Sequence, residues 1–312
     1  MTETEKLSKL PAFSIVVPVY NEEENVEVLY GEIRRSIDQL MRTYEIIFVD
    51  DGSSDQTLEC LKRIKDKESR ESARLAYMRI ISFTGNFGQT AAMQAGFDHA
   101  RGDVIVSLDA DLQNDPEDIP RLLDKLNKDY DVVCGWRKDR KDKAMTRILP
   151  SKVANWLIRK ITGVPIHDSG CSLKAYKSSL LKSVRLYSDM HRFIPAVTSM
   201  ARARIAEIVV NHRPRRYGQA KYGLSRIWKV LFDIIAVNML IHFHYSPILW
   251  FASFGLVFLF CGLGLGIASV FLFLNGVRTI VYPAASFLFL FLFGTLLSWG
   301  LLAEFFVKIE RR

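Results

Sequence analysis

Two carboxylates set one residue apart, Asp109 and Asp111, close an apolar run at residues 104–108 (VIVSL). Such a pair offers hard oxygen ligands. These suit Mg²⁺ or Mn²⁺, ions that hold diphosphates through oxygen. In open α/β sheets, ligands bind beyond the carboxyl ends of the strands. An isolated D-x-D more often caps a turn, so the pair takes its meaning from the elements around it.

Those elements alternate. Strand-like runs at 14–19, 44–49, 75–82, 104–108 and 131–134 are separated by helix-like stretches at 22–41, 57–67, 89–100 and 116–128. This alternation predicts an α/β fold built on a mainly parallel sheet. Three strand ends carry polar clusters: Tyr20-Asn21-Glu22, Asp50-Asp51 and Asp109-Ala110-Asp111. In a parallel sheet these ends share one edge, so the clusters can converge on one pocket. Neither G-x-G-x-x-G nor G-x-x-x-x-G-K-[ST] occurs, so a nucleotide here is expected to be held by carboxylates and a metal. Beyond residue 134 the order changes. A basic stretch at 135–147 precedes helix-like segments at 151–161, 178–185 and 192–204. A strand-like run follows at 205–211, and a second basic stretch at 212–222.

Composition bounds the partners. The chain has 312 residues and a formal net charge of +8, which favours an anionic partner. Its four cysteines show no paired spacing, which argues against a disulfide framework or a zinc site. Residues 1–11 have no apolar core and read as a disordered lead. Asp, Glu, Lys and Arg are absent from 245–277 and again from 279–303. Each run exceeds the roughly 20 residues that cross about 30 Å of hydrocarbon. Two transmembrane helices are expected, at about 247–274 and 281–305. Residues 225–245 are expected to form an interfacial amphipathic helix, and 12–224 the soluble domain. Arg278 is the only charge between the spans, whereas Lys308, Arg311 and Arg312 follow the second. The positive-inside rule then puts both termini and the soluble domain on the cytoplasmic side. Nucleic-acid binding fits the charge but not the spans, so no nucleic acid is expected.

The motifs together resemble one family. Matching stretches are Val17-Pro18-Val19-Tyr20-Asn21-Glu22, Asp50-Asp51-Gly52-Ser53-Ser54-Asp55, Asn86-Phe87-Gly88-Gln89 and Asp109-Ala110-Asp111-Leu112-Gln113. Gly135-Trp136-Arg137, Asp168-Ser169-Gly170-Cys171-Ser172-Leu173-Lys174 and His191-Arg192-Phe193 also match. The chain resembles family 2 glycosyltransferases of GT-A fold and polyisoprenyl-phosphate type. It is similar to dolichol-phosphate mannose synthases and most like the bacterial GtrB-type enzymes. One departure is Ala220, where the family usually has Ser.

The resemblance implies inverting, metal-dependent transfer of a sugar onto the phosphate of a polyprenyl phosphate, undecaprenyl phosphate being the expected lipid. UDP-glucose is the favoured donor, with UDP-GlcNAc, GDP-mannose or a UDP-arabinose derivative as alternatives. A non-catalytic membrane or flippase component is the alternative from another class. Mg²⁺ or Mn²⁺ is the implied cofactor, and a homo-oligomer is expected. Asp111 and Gln113 are the implied metal ligands, with Asp109 a ligand or a ribose contact. Pro18, Tyr20, Glu22 and Asp51 would hold base and ribose. Arg137, Arg215 and Lys221 would grip donor or acceptor phosphates, with Arg147 and Ser151 as further acceptor contacts. Asp168 matches the position proposed as general base, or else it orients Arg or Lys side chains. His191 matches a motif with an expected structural role.

Overall fold

The computed structural model describes residues 11–71, 76–139, 149–184, 186, 190–199, 202–214 and 246–310. The chain divides into two compact units, Met1–Ile234 and Ile235–Arg312.

The first unit is a mixed seven-stranded sheet with helices against it. In chain order it runs β1 (Phe13–Val19), α1 (Val26–Ile37), β2 (Tyr44–Asp50), α2 (Thr57–Glu71), β3 (Ala76–Ser82), α3 (Gln89–His99) and β4 (Val104–Ser107). Then come α4 (Ile119–Asn127), β5 (Val132–Trp136), α5 (Leu149–Thr162), β6 (Lys174–Lys177), α6 (Ser178–Lys182), α7 (Ile194–Ser199) and β7 (Ile205–Val209). The strand order is β3-β2-β1-β4-β6-β5-β7. The order reverses at β1, which pairs in parallel with β2 on one side and β4 on the other. That reversal is the topological switch point, where an open α/β sheet leaves a crevice beyond its strand ends.

Burial explains the central strands. Every residue of β1 and β2 is buried, and such near-continuous apolar strands belong in a parallel sheet covered on both faces. Ile15, Val17, Ile46 and Phe48 share a core with Leu29, Ile33 and Ile37 of α1 and with Leu122 and Leu126 of α4. On the other face α3 lies so close to β1 that a Cβ on Gly96 would sit 2.2 Å from Val16 Cγ1. Only glycine allows that approach.

Three local readings change. Residues 174–177 form β6, antiparallel to both β4 and β5, just ahead of the helix-like segment at 178–185, where the sequence reading placed no strand. The strand has four residues and two are lysines, so it carries no apolar run to detect. The sheet is still mainly parallel, since the β1–β2, β1–β4, β2–β3 and β5–β7 pairs run parallel. The first helix begins at Val26 rather than residue 22. Instead of starting the helix, the Glu22 and Glu23 amides donate to Thr57 Oγ1 and Asp55 Oδ2. The expected helix at 192–204 is a 3₁₀ turn, Met190–Phe193, followed by the short α7, and Arg202 has a φ of 57°. A left-handed residue there stops any continuation.

The second unit is a helical hairpin of α8 (Pro247–Leu274) and α9 (Val281–Glu310). Their mean hydropathies are 2.5 and 2.0, and little of either apolar stretch is buried. Both are long and apolar enough to cross a membrane, and a soluble core helix would hide such a surface. Ser286 Oγ donates to the Gly262 carbonyl at 2.7 Å across the helix pair. The α9 helix continues to Glu310, beyond the expected end near 305, through an i,i+4 pair of Glu304 and Lys308. The expected interfacial helix at 225–245 lies outside the described residues.

Gly96→Ala tests the close approach of α3 to β1. Overpacking of this kind costs roughly 1–3 kcal/mol. The variant is expected to melt several degrees below wild type, and an unchanged melting temperature would show that the contact is loose.

Candidate functional site

The carboxyl ends of β1, β2, β4 and β5 share one edge of the first unit's sheet. The loops after β1 and β2 are tied together. Asn21, at a φ of 55°, donates its amide to Ser53 Oγ and accepts from the Ser54 amide on Oδ1 at 2.8 Å. Pro18 lies within buried β1, opposite Val49 of β2. Tyr20 is half-buried just after the strand. Glu22 Oε2 accepts from Asn25 Nδ2.

Asp51 is only 3% exposed. Its two carboxylate oxygens accept from the backbone amides of Phe87 and Gly88 at 2.7 and 2.9 Å. Burial raises its pKa, the two amides work against that rise, and the charge of Asp50 adds to it. Asp51 therefore holds the loop before α3 in place. Gly52 makes this possible with a φ of 69°, and a Cβ there would meet the Gly85 backbone at 2.4 Å. The loop ends at Gln89, whose Nε2 donates to Asp109 Oδ1 at 2.7 Å.

Asp109 and Asp111 follow β4, at the switch point. Leu112 adopts a φ of 59° and turns the chain, and the Gln113 amide donates to Asp111 Oδ1 at 3.1 Å. The Gln113 carbonyl accepts from the Arg213 amide, and Arg213 is itself paired with Asp115 and Glu32. The Asp109 pKa is pushed up to about 6, by burial first and then by the charge of Asp111. A hydrogen bond from Ser172 and the charges of Arg137 and Lys174 offset part of that rise. Ser172 Oγ also accepts from Asn114 Nδ2.

Opposite them stands a buried ion pair. Arg137 Nε and Nη2 donate to Asp168 Oδ2 and Oδ1 at 2.7 and 3.0 Å, and the Arg137 amide reaches Oδ2 at 3.3 Å. The side chains are only 12% and 4% exposed. Burial works against the guanidinium charge, yet Asp168 and Asp109 hold its pKa above the ordinary value. Lys174, also buried, donates Nζ to the Ser169 carbonyl at 3.0 Å. His191 Nδ1 lies 2.7 Å from Thr90 Oγ1, at the start of α3.

The donor set fits a divalent cation. Asp109 and Asp111 repel each other in a half-desolvated setting, a strain that a cation relieves. Among the described residues no group of three His, Cys, Asp or Glu side chains could hold an ion unaided. Mg²⁺ and Mn²⁺ sites commonly use one or two carboxylates, with substrate phosphates and water completing the shell. Among the residues expected in the site, the structure brings together Asp109, Asp111, Arg137 and Asp168. Ser151 lies near the start of α5, and Arg147, Arg215, Ala220 and Lys221 lie outside the described residues. Gln89 and Lys174 lie in the family motifs but have no role legible from sequence, and Glu207 lies outside those motifs. That residue's only signal was a lone acid inside the apolar run 205–211.

Comparison with known proteins gives concordant results. The profile for Glycosyl transferase family 2 matches residues 14–185. The Dodecaprenyl-phosphate galacturonate synthase of Rhizobium johnstonii is 44% identical over 246 residues, covering 78% of this chain and 71% of that protein. The Undecaprenyl-phosphate 4-deoxy-4-formamido-L-arabinose transferase of Edwardsiella ictaluri is 34% identical over 302 residues, covering 95% and 89%. Among solved structures, glucosyl-3-phosphoglycerate synthase from Mycobacterium tuberculosis, in complex with Mn²⁺, UDP-glucose and phosphoglyceric acid, superposes with a TM-score of 0.55. It is 18% identical and covers 74% of this chain and 79% of its own. At that identity the likeness establishes the fold.

The raised Asp109 pKa has a definite sign. The cost of ionising this carboxyl is absent below its ordinary value of 3.8, grows as pH rises toward 6 and is complete above 6. Asp109→Asn is therefore expected to stabilise the protein in EDTA at pH 7.5 by about 1–3 kcal/mol, and the gain should shrink as pH falls toward 4. Thermal melts at the two pH values check this. A gain that is equal at both, or absent at pH 7.5, contradicts it.

Proposed function

Because this chain belongs to glycosyl transferase family 2, we propose that it moves a sugar from a nucleotide sugar onto the phosphate of a membrane polyprenol. The observation that carries this reading is the buried Arg137–Asp168 pair facing Asp109 and Asp111 at the switch point. The acids suit a metal-bound diphosphate, and the guanidinium suits a second phosphate. The relatives' names supply the lipid class, since they join sugars to dodecaprenyl or undecaprenyl phosphate. Two helices able to cross a membrane fit a protein whose acceptor stays in lipid.

The chemistry follows from the groups present. A phosphate monoester has a second pKa near 6, so the acceptor is largely ionised at neutral pH. One of its oxygens attacks the anomeric carbon as the bond from that carbon to the diphosphate oxygen breaks. No proton has to be removed for the new bond to form. A divalent cation bound at Asp109 and Asp111, with Gln113 beside them, would neutralise the charge that develops on the leaving diphosphate. Arg137 is preorganised for a phosphate because Asp168 fixes both its orientation and its charge, and fixed cations stabilise developing charge most where water is excluded. Asp168 has both oxygens on Arg137, which supports a positioning role over that of a general base. Attack opposite the diphosphate inverts the anomeric centre.

Pro18, Tyr20, Glu22 and Asp51 are assigned to the base and ribose, and Asp51 also holds the loop before α3 through its bonds to the Phe87 and Gly88 amides. Arg215, Lys221, Arg147 and Ser151 are assigned to phosphates on the strength of the family motif. The catalytic unit and both termini are assigned to the cytoplasmic side from the distribution of Lys and Arg. UDP-glucose is the favoured donor, and the relatives' names bring galacturonate and formamido-arabinose donors into the same test.

The test incubates purified protein with undecaprenyl phosphate in detergent micelles, Mg²⁺ or Mn²⁺, and radiolabelled donors. These are UDP-glucose, UDP-galacturonate, UDP-formamido-arabinose, UDP-GlcNAc and GDP-mannose. Label from one donor is expected in the organic phase, in a product that requires the lipid phosphate. Arg137→Lys should lower that rate by roughly 10²-fold, because a lysine cannot reproduce the two-pronged contact with Asp168. If no donor labels the lipid with either metal, the reading fails and a non-catalytic membrane component takes its place.

A further inference from the structure

Glu207 lies mid-strand in β7, at the edge of the sheet and opposite Cys134 of β5. Its carboxylate is 10% exposed and does not pair with lysine or arginine in any described contact. It is given over to one turn. Oε1 accepts from the amides of His167 and Asp168 at 2.9 and 3.0 Å. Oε2 lies 3.2 Å from the His167 amide and 2.8 Å from His167 Nδ1. The His167 ring stacks on Trp136, with centroids 4.4 Å apart and planes at 18°.

The turn needs such a hold. Between α5 and β6 its described backbone bonds to itself are Ile166 to Val164 and a long one, 3.4 Å, from Cys171 to Asp168. Gly163, Pro165 and Gly170 punctuate it. A segment with so few internal bonds does not fix a side chain by itself. Yet Asp168 must meet Arg137 with both oxygens, and a displacement of about 1 Å at such a site costs rate heavily. A carboxylate that accepts two successive amides sets the direction of the peptide that carries Asp168.

We propose that Glu207 is a positioning residue for transfer: it pins the 167–168 backbone, and so aims Asp168 at Arg137, without touching substrate. The role rests on the function proposed above. It also accounts for a lone acid, half-buried, in an otherwise apolar edge strand.

The test is a double-mutant cycle in the lipid-transfer assay. Glu207→Ala is expected to lower kcat by about 10- to 100-fold while the nucleotide-sugar KM stays within about threefold. Glu207→Gln keeps an oxygen for the two amides and should recover most of the rate. If Glu207 acts through Asp168, adding Glu207→Ala to Asp168→Asn should change the residual rate by less than about twofold, because residues in one chain of contacts are not additive. A purely structural role would lower both backgrounds by the same factor. Should the alanine variant fail to fold, Glu207→Gln runs the same cycle with a smaller expected loss. Hydrogen exchange at the 166–170 peptide supplies a second readout, with faster exchange expected in Glu207→Ala. A wild-type protein without transfer defeats the function itself. An active wild type with a wild-type-like Glu207→Ala, or with losses that multiply, defeats the positioning role alone.

Discussion

A guanidinium deprived of most of its water has to be matched by a carboxylate, and the crevice is arranged around that requirement. Arg137 meets it with Asp168 through two short hydrogen bonds in a nearly closed setting. Breaking such a pair by removing one partner costs about 3–5 kcal/mol, because the survivor is left charged and unmatched. The pair therefore cannot relax away when a ligand arrives. On the crevice's other side the balance is reversed. Asp109 and Asp111 crowd together, and the cations nearby, Arg137 and Lys174, lower the cost only in part. The site as it stands is short of positive charge at the acids. On the function proposed above, a cation carrying phosphates would supply that charge at one point, and the fixed guanidinium would take the next phosphate along.

The sheet puts these groups where they can act together. Parallel β1, β2 and β4 end on one edge, and the reversal of strand order at β1 opens the space between the loops. The loops that line it hold one another through side chain-to-backbone bonds. Asn21 grips the 53–54 turn, Asp51 grips the 87–88 turn, and Gln89 passes that restraint on to Asp109. Several of the conspicuous polar residues at the strand ends thus act on the protein's own backbone. Asp51 is the clearest case, with both oxygens taken by amides. These contacts preorganise the crevice, which is how an enzyme avoids reorganising its dipoles during reaction.

How much could be read from the chain beforehand depended on whether a signal was local. The apolar runs of β1, β2 and β4 announce themselves, and the acids just after them follow from position alone. The two membrane-length helices are legible for the same reason, since charge is absent over long windows. The β6 strand was not legible: it has four residues, two of them lysines, and only its neighbours β4 and β5 make it a strand. Glu207 carries no pattern at all, because its meaning comes from a turn whose His167 lies 40 residues earlier in the chain. Asp168 stood in between. Its motif marked it as important, and the two-pronged contact with Arg137 supports orientation of a cation over proton abstraction.

Titration calorimetry with UDP probes the proposed role of Asp109 and Asp111, to serve a metal-bound diphosphate beside the guanidinium of Arg137. UDP is to be titrated into wild type and Asp111→Ala, each with Mn²⁺ and with EDTA. Tight binding is expected for wild type only when Mn²⁺ is present, with that metal-dependent gain lost in Asp111→Ala. UDP binding that is equally tight in EDTA, or equally strengthened by Mn²⁺ in Asp111→Ala, would contradict that role.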